Sequence, residues 1–292
     1  MALSKDDLST CMAAARQAAL QAGRYIRQQL DEEVITHRKE GGDSIASQVV
    51  TEVDFQSEKI ILAAIASCQK QFGFGLLTEE QEDDNSRFER DYFWCIDPLD
   101  GTLAFTEKRE GFAVSLSLVS SGGEAVLGVA YDPYNDVLWQ GHHGVNLTRN
   151  HKPWQPPTVG SRLSVFADRG FSEHDLYQTA MGVVAEVKKD LGFRGIDVMG
   201  GGGAVMNALW ALEKGPSCYF KFPKEKPGGG CSWDFAATSL LYKLGGGAVG
   251  DIWGQPLDLN PKESLYMNRR GVLYASDPLL RGKLVEAFSS IL

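Results

Sequence analysis

The sequence predicts an α/β fold in two unequal parts. Three observations carry this: two amphipathic helical segments at the start, a run of short apolar segments divided by turn residues, and a C-terminal half in which strand and helix patterns alternate. At 292 residues and 43% apolar composition the chain can bury a sizeable core, which suits one large domain or two closely packed ones.

The first segment, 4–30, repeats apolar residues at helical spacing through Leu8, Met12, Ala15, Ala19 and Ile26, with Ser4 and Asp7 spaced as a cap. A second helix is predicted over 54–71, burying Ile60, Ile61, Ala64 and Ile65. Strand-like runs follow at 72–77, 92–96, 112–119, 125–131 and 137–142. The turn signals Gly122-Gly123 and Asp132-Pro133 make the last three an antiparallel meander. Pro153, Pro156, Pro157 and Gly160 then mark a boundary, so 1–157 is predicted as an N-terminal α+β domain and 158–292 as a C-terminal α/β domain. In the second part strands are predicted at 163–167, 195–198, 218–222 and 248–252, and helices at 173–191, 204–214, 233–244 and 277–291.

Composition narrows the function. A formal charge of -9 and a pI near 5.1 give a mean field that repels nucleic acid and anionic membrane surfaces, so a small anionic substrate would need a metal ion or a local basic patch. Five cysteines without a C-x-x-C pair read as reduced thiols of a cytoplasmic protein. The N-terminus lacks the apolar core of a signal peptide, and no run has the roughly 20 apolar residues of a membrane span. The five histidines fall outside every motif and read as surface or turn residues.

The sharpest signal is Asp97-Pro98-Leu99-Asp100-Gly101-Thr102, entered from an apolar strand. Pro98 restricts the backbone between the two acids, and Gly101 permits a tight turn, so both carboxylates can converge on one point. Thr102 would then open a short helix whose amides favour an anion such as phosphate. Two adjacent carboxylates repel unless a cation sits between them, and hard oxygen ligands without His or Cys select magnesium, manganese or calcium over zinc. An isolated D-x-x-D would read as a cap and a turn. Here three further acids stand at element ends: Asp54 in Thr51-Glu52-Val53-Asp54, Glu79 in Leu77-Thr78-Glu79-Glu80, and Asp234 in Ser232-Trp233-Asp234-Phe235.

In this order, and with Gly245-Gly246-Gly247 following, these segments resemble the inositol monophosphatase superfamily of metal-dependent, lithium-sensitive phosphatases, over nearly the whole chain. The segments 111–116 and 128–131 and the tail around Gln255-Pro256-Leu257-Asp258 look most like its 3'(2'),5'-bisphosphate nucleotidase branch, which removes the 3'-phosphate of 3'-phosphoadenosine 5'-phosphate. The resemblance implies a layered α-β-α-β-α sandwich with the metals between its two parts, in a monomer or homodimer. It also implies that Glu79, Asp97 and the Leu99 carbonyl hold one magnesium, that Asp97, Asp100 and Asp234 hold a second, and that a third, weaker ion sits beside Glu79. Thr102 would orient the attacking water and Asp54 would accept from Thr102.

Substrate contacts are expected from Gly101, Thr102, Gly202, Gly203 and Asp234, with the lysine cluster of Lys221, Lys224 and Lys226 supplying charge for a second anionic group. Four positions depart from the family pattern. Thr78 replaces the usual Gly, and Leu103 replaces the Lys common in nucleotidases. Gly202-Gly203 stands for Gly-Ser, and Pro227 stands where inositol monophosphatases carry an acid. The sequence therefore predicts a magnesium-dependent phosphomonoesterase with that nucleotide bisphosphate as substrate. The alternatives are an inositol-phosphate or sugar-phosphate phosphatase and, from another class, a non-catalytic metal-binding regulator.

Overall fold

The computed structural model describes residues 2–32, 36–38, 49–158 and 160–292. The first helix, α1 (Lys5–Gln29), starts where the sequence places it: Ser4 Oγ accepts from the Asp7 amide at 3.2 Å, and the Asp7 carboxylate accepts from the Ser4 amide at 2.9 Å. Its buried face is lined by Ala15, Ala18, Ala19, Ala22 and Gly23, small residues that let it sit close on a sheet. A Cβ on Gly23 would lie 2.3 Å from the Tyr131 ring.

Two short antiparallel strands follow, β1 (Thr36–Arg38) and β2 (Val49–Thr51), and then α2 (Glu52–Phe72). Thr51 caps α2 together with Asp54, so the helix begins earlier than the sequence pattern suggests. It ends at Gly73, whose left-handed φ of 67° stops it. The strand predicted from 72 therefore starts later, as β3 (Gly75–Thr78). After a short helix, α3 (Ser86–Glu89), β4 runs through Tyr92–Asp100, past the predicted end at 96. A five-residue helix, α4 (Thr102–Thr106), leads to the meander β5 (Ala113–Ser120), β6 (Ala125–Asp132) and β7 (Val137–His142), antiparallel as expected. With β8 (Thr148–Arg149) and β9 (Lys152–Pro153), both too short for a sequence pattern, these complete a seven-stranded sheet in the order β3 to β9.

A second, five-stranded sheet forms from residues beyond 160: β10 (Arg162–Ala167), β11 (Gly195–Gly200), β12 (Ser217–Lys221), β13 (Ala248–Gly250) and β14 (Val272–Ala275), in the order β11-β10-β12-β14-β13. The helices of this part are α5 (Tyr177–Asp190), α6 (Ala204–Lys214), α7 (Ser232–Leu244) and α8 (Pro278–Ser289). A 3-10 turn over Arg169–Glu173 comes first, and α5 starts at Tyr177, four residues later than the helix predicted from 173.

Three apolar cores arrange these elements in five layers. One joins α1 and α2 to the outer face of the seven-stranded sheet, a second places α6 and α7 between the two sheets, and a third covers the far face of the five-stranded sheet with α5 and α8. This is the layered α-β-α-β-α sandwich expected. The central layer fits closely because β5 and β6 present Ser115, Ser117 and Gly128 toward α7, and a Cβ on Gly128 would lie 2.8 Å from the Ala237 carbonyl oxygen.

One expectation is corrected. His142 is not a surface or turn residue: it is buried at the end of β7, with Nδ1 2.8 Å from the His143 carbonyl oxygen. His37 lies among residues whose side chains are outside the described set. Among the described residues, no helix is long and apolar enough to cross a membrane.

Candidate active site

Strand β4 alternates strictly before it reaches the site. Trp94 and Ile96 enter the core beneath α1 and α2, while Phe93 and Cys95 face the central helical layer. Asp97 follows Cys95 in that alternation and is fully buried. The register with β5 then shifts between Asp97 and Asp100, a bulge that brings a second carboxylate toward the first. Ser57 on α2 clamps the bulge by donating to the Pro98 carbonyl at 2.7 Å, and Asp97 Oδ1 accepts from the Leu99 amide at 3.0 Å. Gly101, at φ 82°, turns the chain into α4; a Cβ there would lie 2.4 Å from the Gly111 carbonyl oxygen.

Thr102 begins α4 with its hydroxyl directed at α2, 2.9 Å from Asp54 Oδ1 and 3.1 Å from the Leu99 carbonyl. Asp54 is held in turn by Thr51, whose amide and hydroxyl bond its Oδ2 at 2.8 and 2.6 Å. The Asp54–Thr102 contact suggested by the family pattern is therefore present.

Asp234 enters from α7, its carboxylate accepting the Cys231 amide at the helix start. Asp97, Asp100 and Asp234 each offer an oxygen, and the three lie within 4.8 Å of one another. Glu79 follows β3, its amide donating to the Ile96 carbonyl at 3.3 Å, and its charge acts on Asp97. Asp100 also caps α6, accepting from the Ala204 and Val205 amides at 3.0 and 2.9 Å.

That capping bears on the last glycine of the run. A Cβ on Gly203 would lie 2.2 Å from an Asp100 carboxylate oxygen, so in this chain the bare position gives the acid its close approach to the helix. The Gly203 amide donates to the Gly111 carbonyl at 2.8 Å, and the Gly202 carbonyl accepts from Asn207 at 3.1 Å.

The electrostatics suit a bound cation. Burial, then the charges of Glu79, Asp100 and Asp234, raise Asp97 well above the usual carboxylate range. Burial, then Asp234, raise Asp100 similarly, against the two helix amides. Burial and Glu79 lift Asp234 to about 6, and burial lifts Asp54 to about 6 against its bond from Thr51. Asp97 Oδ2 is buried and has no hydrogen-bond partner among the described residues, an expensive state for a carboxylate that a bound cation would relieve. An all-oxygen donor set suits magnesium.

Beside the carboxylates, one lysine of the cluster read from the sequence meets an acid, Asp168, that sequence reasoning misses. Lys221, at the end of β12, is 3.0 Å from Asp168, which also accepts from the Tyr219 hydroxyl at 3.1 Å. Lys221 is largely buried and its charge acts on both Asp100 and Asp234. An acid closing an apolar strand, as Asp168 closes β10, was the available signal. Lys224 sits farther along the same loop, its backbone bonded to Asn268 at 2.6 and 3.0 Å, and Lys226 is exposed.

Comparison with known proteins agrees with this architecture. An inositol-1-monophosphatase of Mesorhizobium japonicum is 29% identical over 256 residues, 82% of this chain and 84% of that protein. The Nus factor SuhB of Escherichia coli K12 is 26% identical over 249 residues, 81% of this chain and 83% of the other. The crystal structure of the extragenic suppressor protein suhB of Bartonella henselae superposes with a TM-score of 0.74 at 24% identity, covering 96% of this chain and 99% of that one. The model of the inositol monophosphatase family matches residues 7–292, and the chain belongs to that family.

Proposed function

We propose that the chain is a magnesium-dependent phosphomonoesterase acting on a small phosphorylated substrate. The observation that carries this is the partnerless Asp97 oxygen inside a carboxylate cluster, next to a completed Asp54–Thr102 pair. Glu79, Asp97 and the Leu99 carbonyl would hold one magnesium, and Asp97, Asp100 and Asp234 a second. Bound there, the metal supplies Lewis acidity toward the phosphoryl group, the attacking water and the leaving oxygen.

The chain's own residues supply orientation. The single Thr102 proton is committed to Asp54 and the Leu99 carbonyl, so Oγ1 is left as an acceptor toward the attacking water. The proton that water loses can pass over Thr102 Oγ1 to Asp54 Oδ1. The reacting phosphate rests against Gly101 and Thr102, and the rest of the substrate extends toward Asp168 and Lys221.

For the substrate, the name of the Mesorhizobium japonicum relative favours an inositol-phosphate or sugar-phosphate ester. A second reading, 3'-phosphoadenosine 5'-phosphate, is favoured by Lys221, Lys224 and Lys226 and by Pro227 in place of an acid. The reading from another class, a non-catalytic metal-binding regulator, has no need of the Asp54–Thr102 pair.

Phosphate release with magnesium from inositol 1-phosphate, fructose 1,6-bisphosphate and the adenosine bisphosphate, each with and without lithium, separates these readings. Turnover confined to the nucleotide establishes the nucleotidase, and turnover of the polyol esters the inositol or sugar phosphatase. Magnesium uptake without turnover of any ester contradicts the catalytic reading.

A further inference from the structure

Two of the segments that bring candidate ligands to the carboxylate cluster, 97–102 and the turn after β3, are held by one helix face. Along α2, Asp54, Ser57 and Glu58 stand at i, i+3 and i+4 and share a side. Asp54 takes Thr102, and Ser57 takes the Pro98 carbonyl in the bulge. Glu58 has no place in the mechanism, yet it is a carboxylate only 4% exposed in the interior.

Its bonds show what it does. Oε1 accepts from the Thr78 hydroxyl at 2.6 Å and from the Glu80 amide at 3.3 Å, and Oε2 accepts from Gln81 Nε2 at 2.9 Å. These partners flank Glu79 on both sides, one before it and two after. We propose that Glu58 is a positioning residue for Glu79, fixing the turn after β3 so that the Glu79 carboxylate meets Asp97, with the Thr78 hydroxyl as its main handle. Without that anchor, the turn would lose the three bonds that connect it to α2, and holding Glu79 in place would cost conformational entropy on each binding event. Thr78, which departs from the family's usual glycine, is the residue that makes the tether possible from the strand side.

This inference rests on the metal-centre reading, and a metal titration separates the two. Full-length, metal-free protein is titrated with magnesium by calorimetry for wild type, Glu58→Ala, Glu58→Gln and Thr78→Val, with the melting temperature of each recorded. The expected result is a loss of magnesium affinity of about tenfold or more in Glu58→Ala, a smaller loss in Thr78→Val, and partial recovery in Glu58→Gln, which keeps an acceptor for Thr78. Phosphate release by Glu58→Ala should fall at low magnesium and recover at high magnesium, a dependence that general destabilisation would not produce. Wild-type magnesium affinity in Glu58→Ala, whatever its melting temperature, overturns the proposal. If that variant does not fold, wild-type affinity in Thr78→Val overturns it instead. No magnesium uptake by the wild type removes the metal-centre reading itself.

Discussion

At the scale of single residues, the site depends on groups whose neighbours leave them one role. Thr102 gives its proton to Asp54 and the Leu99 carbonyl, so Thr102→Val, nearly equal in volume, removes the oxygen proposed to orient the water while leaving the carboxylates in place. The expected outcome is a fall in kcat of about a hundredfold or more with magnesium affinity little changed, read from steady-state kinetics beside calorimetry. Equal losses in both would assign Thr102 to the metal shell instead. Gly203→Ala has the opposite signature. Its Cβ would meet the Asp100 carboxylate at 2.2 Å, so Asp100 must leave the α6 amides or the helix must shift. That variant should lose magnesium affinity and about 1–3 kcal/mol of stability, and unchanged urea denaturation would show that the site relaxes freely.

Residue chemistry was also where the sequence spoke most clearly. Asp97, Asp100 and Asp234 were readable because each stands at a turn or helix start, and the structure brings them within 4.8 Å of one another. Lysines carry no such positional mark. Lys221, Lys224 and Lys226 look alike in sequence, and only the path of β12 decides that Lys221 is buried against Asp168 while Lys226 is exposed.

At the scale of elements, α2 and the β4 bulge form one device. The bulge was not readable: Pro98 looks like the end of a strand, and the continuation to Asp100 exists because Asp100 pairs with Ala113 across β5 and because Ser57 holds the Pro98 carbonyl. By contrast α1 and its Ser4–Asp7 cap are set by contacts within a single turn, which local sequence contains. Ser57→Ala tests the device. Removing the buried donor leaves the Pro98 carbonyl unsatisfied, with an expected cost of about 1–3 kcal/mol in urea denaturation and a drop in magnesium affinity as the bulge loosens. A stability loss with no change in metal binding would mean that β5 alone sets the bulge.

At the scale of the molecule, the carboxylate cluster proposed as the metal centre lies where the seven-stranded sheet meets the central helices, which would link metal, protons and folding. In the metal-free fold, burial holds Asp54 and Asp234 near 6, above the ordinary 3.8. The folded state then binds protons more tightly than the unfolded chain between those values. These groups therefore favour the metal-free fold at low pH, and that contribution is lost as pH rises through about 4 to 6. Magnesium needs the carboxylates ionised, so its stabilising effect should grow over the same interval. Melting temperatures with and without saturating magnesium should diverge as pH is raised from about 4.5 to about 6.5, and a constant difference would contradict the linkage. The five-layer order was foreseen only through the family resemblance. Strand and helix alternation reveals an α/β class, but not that α6 and α7 lie between two sheets, because that placement depends on the bare surface of Ser115, Ser117 and Gly128 opposite α7.

The central claim is that the buried carboxylates form the metal centre of a phosphatase, and magnesium-dependent phosphate release by wild type and Asp97→Asn tests it most directly. The account predicts turnover that requires magnesium in the wild type and is lost in Asp97→Asn, in a protein that still folds because the amide retains the Leu99 bond at Oδ1. Phosphate release by Asp97→Asn at the wild-type rate and with the wild-type magnesium dependence would contradict it.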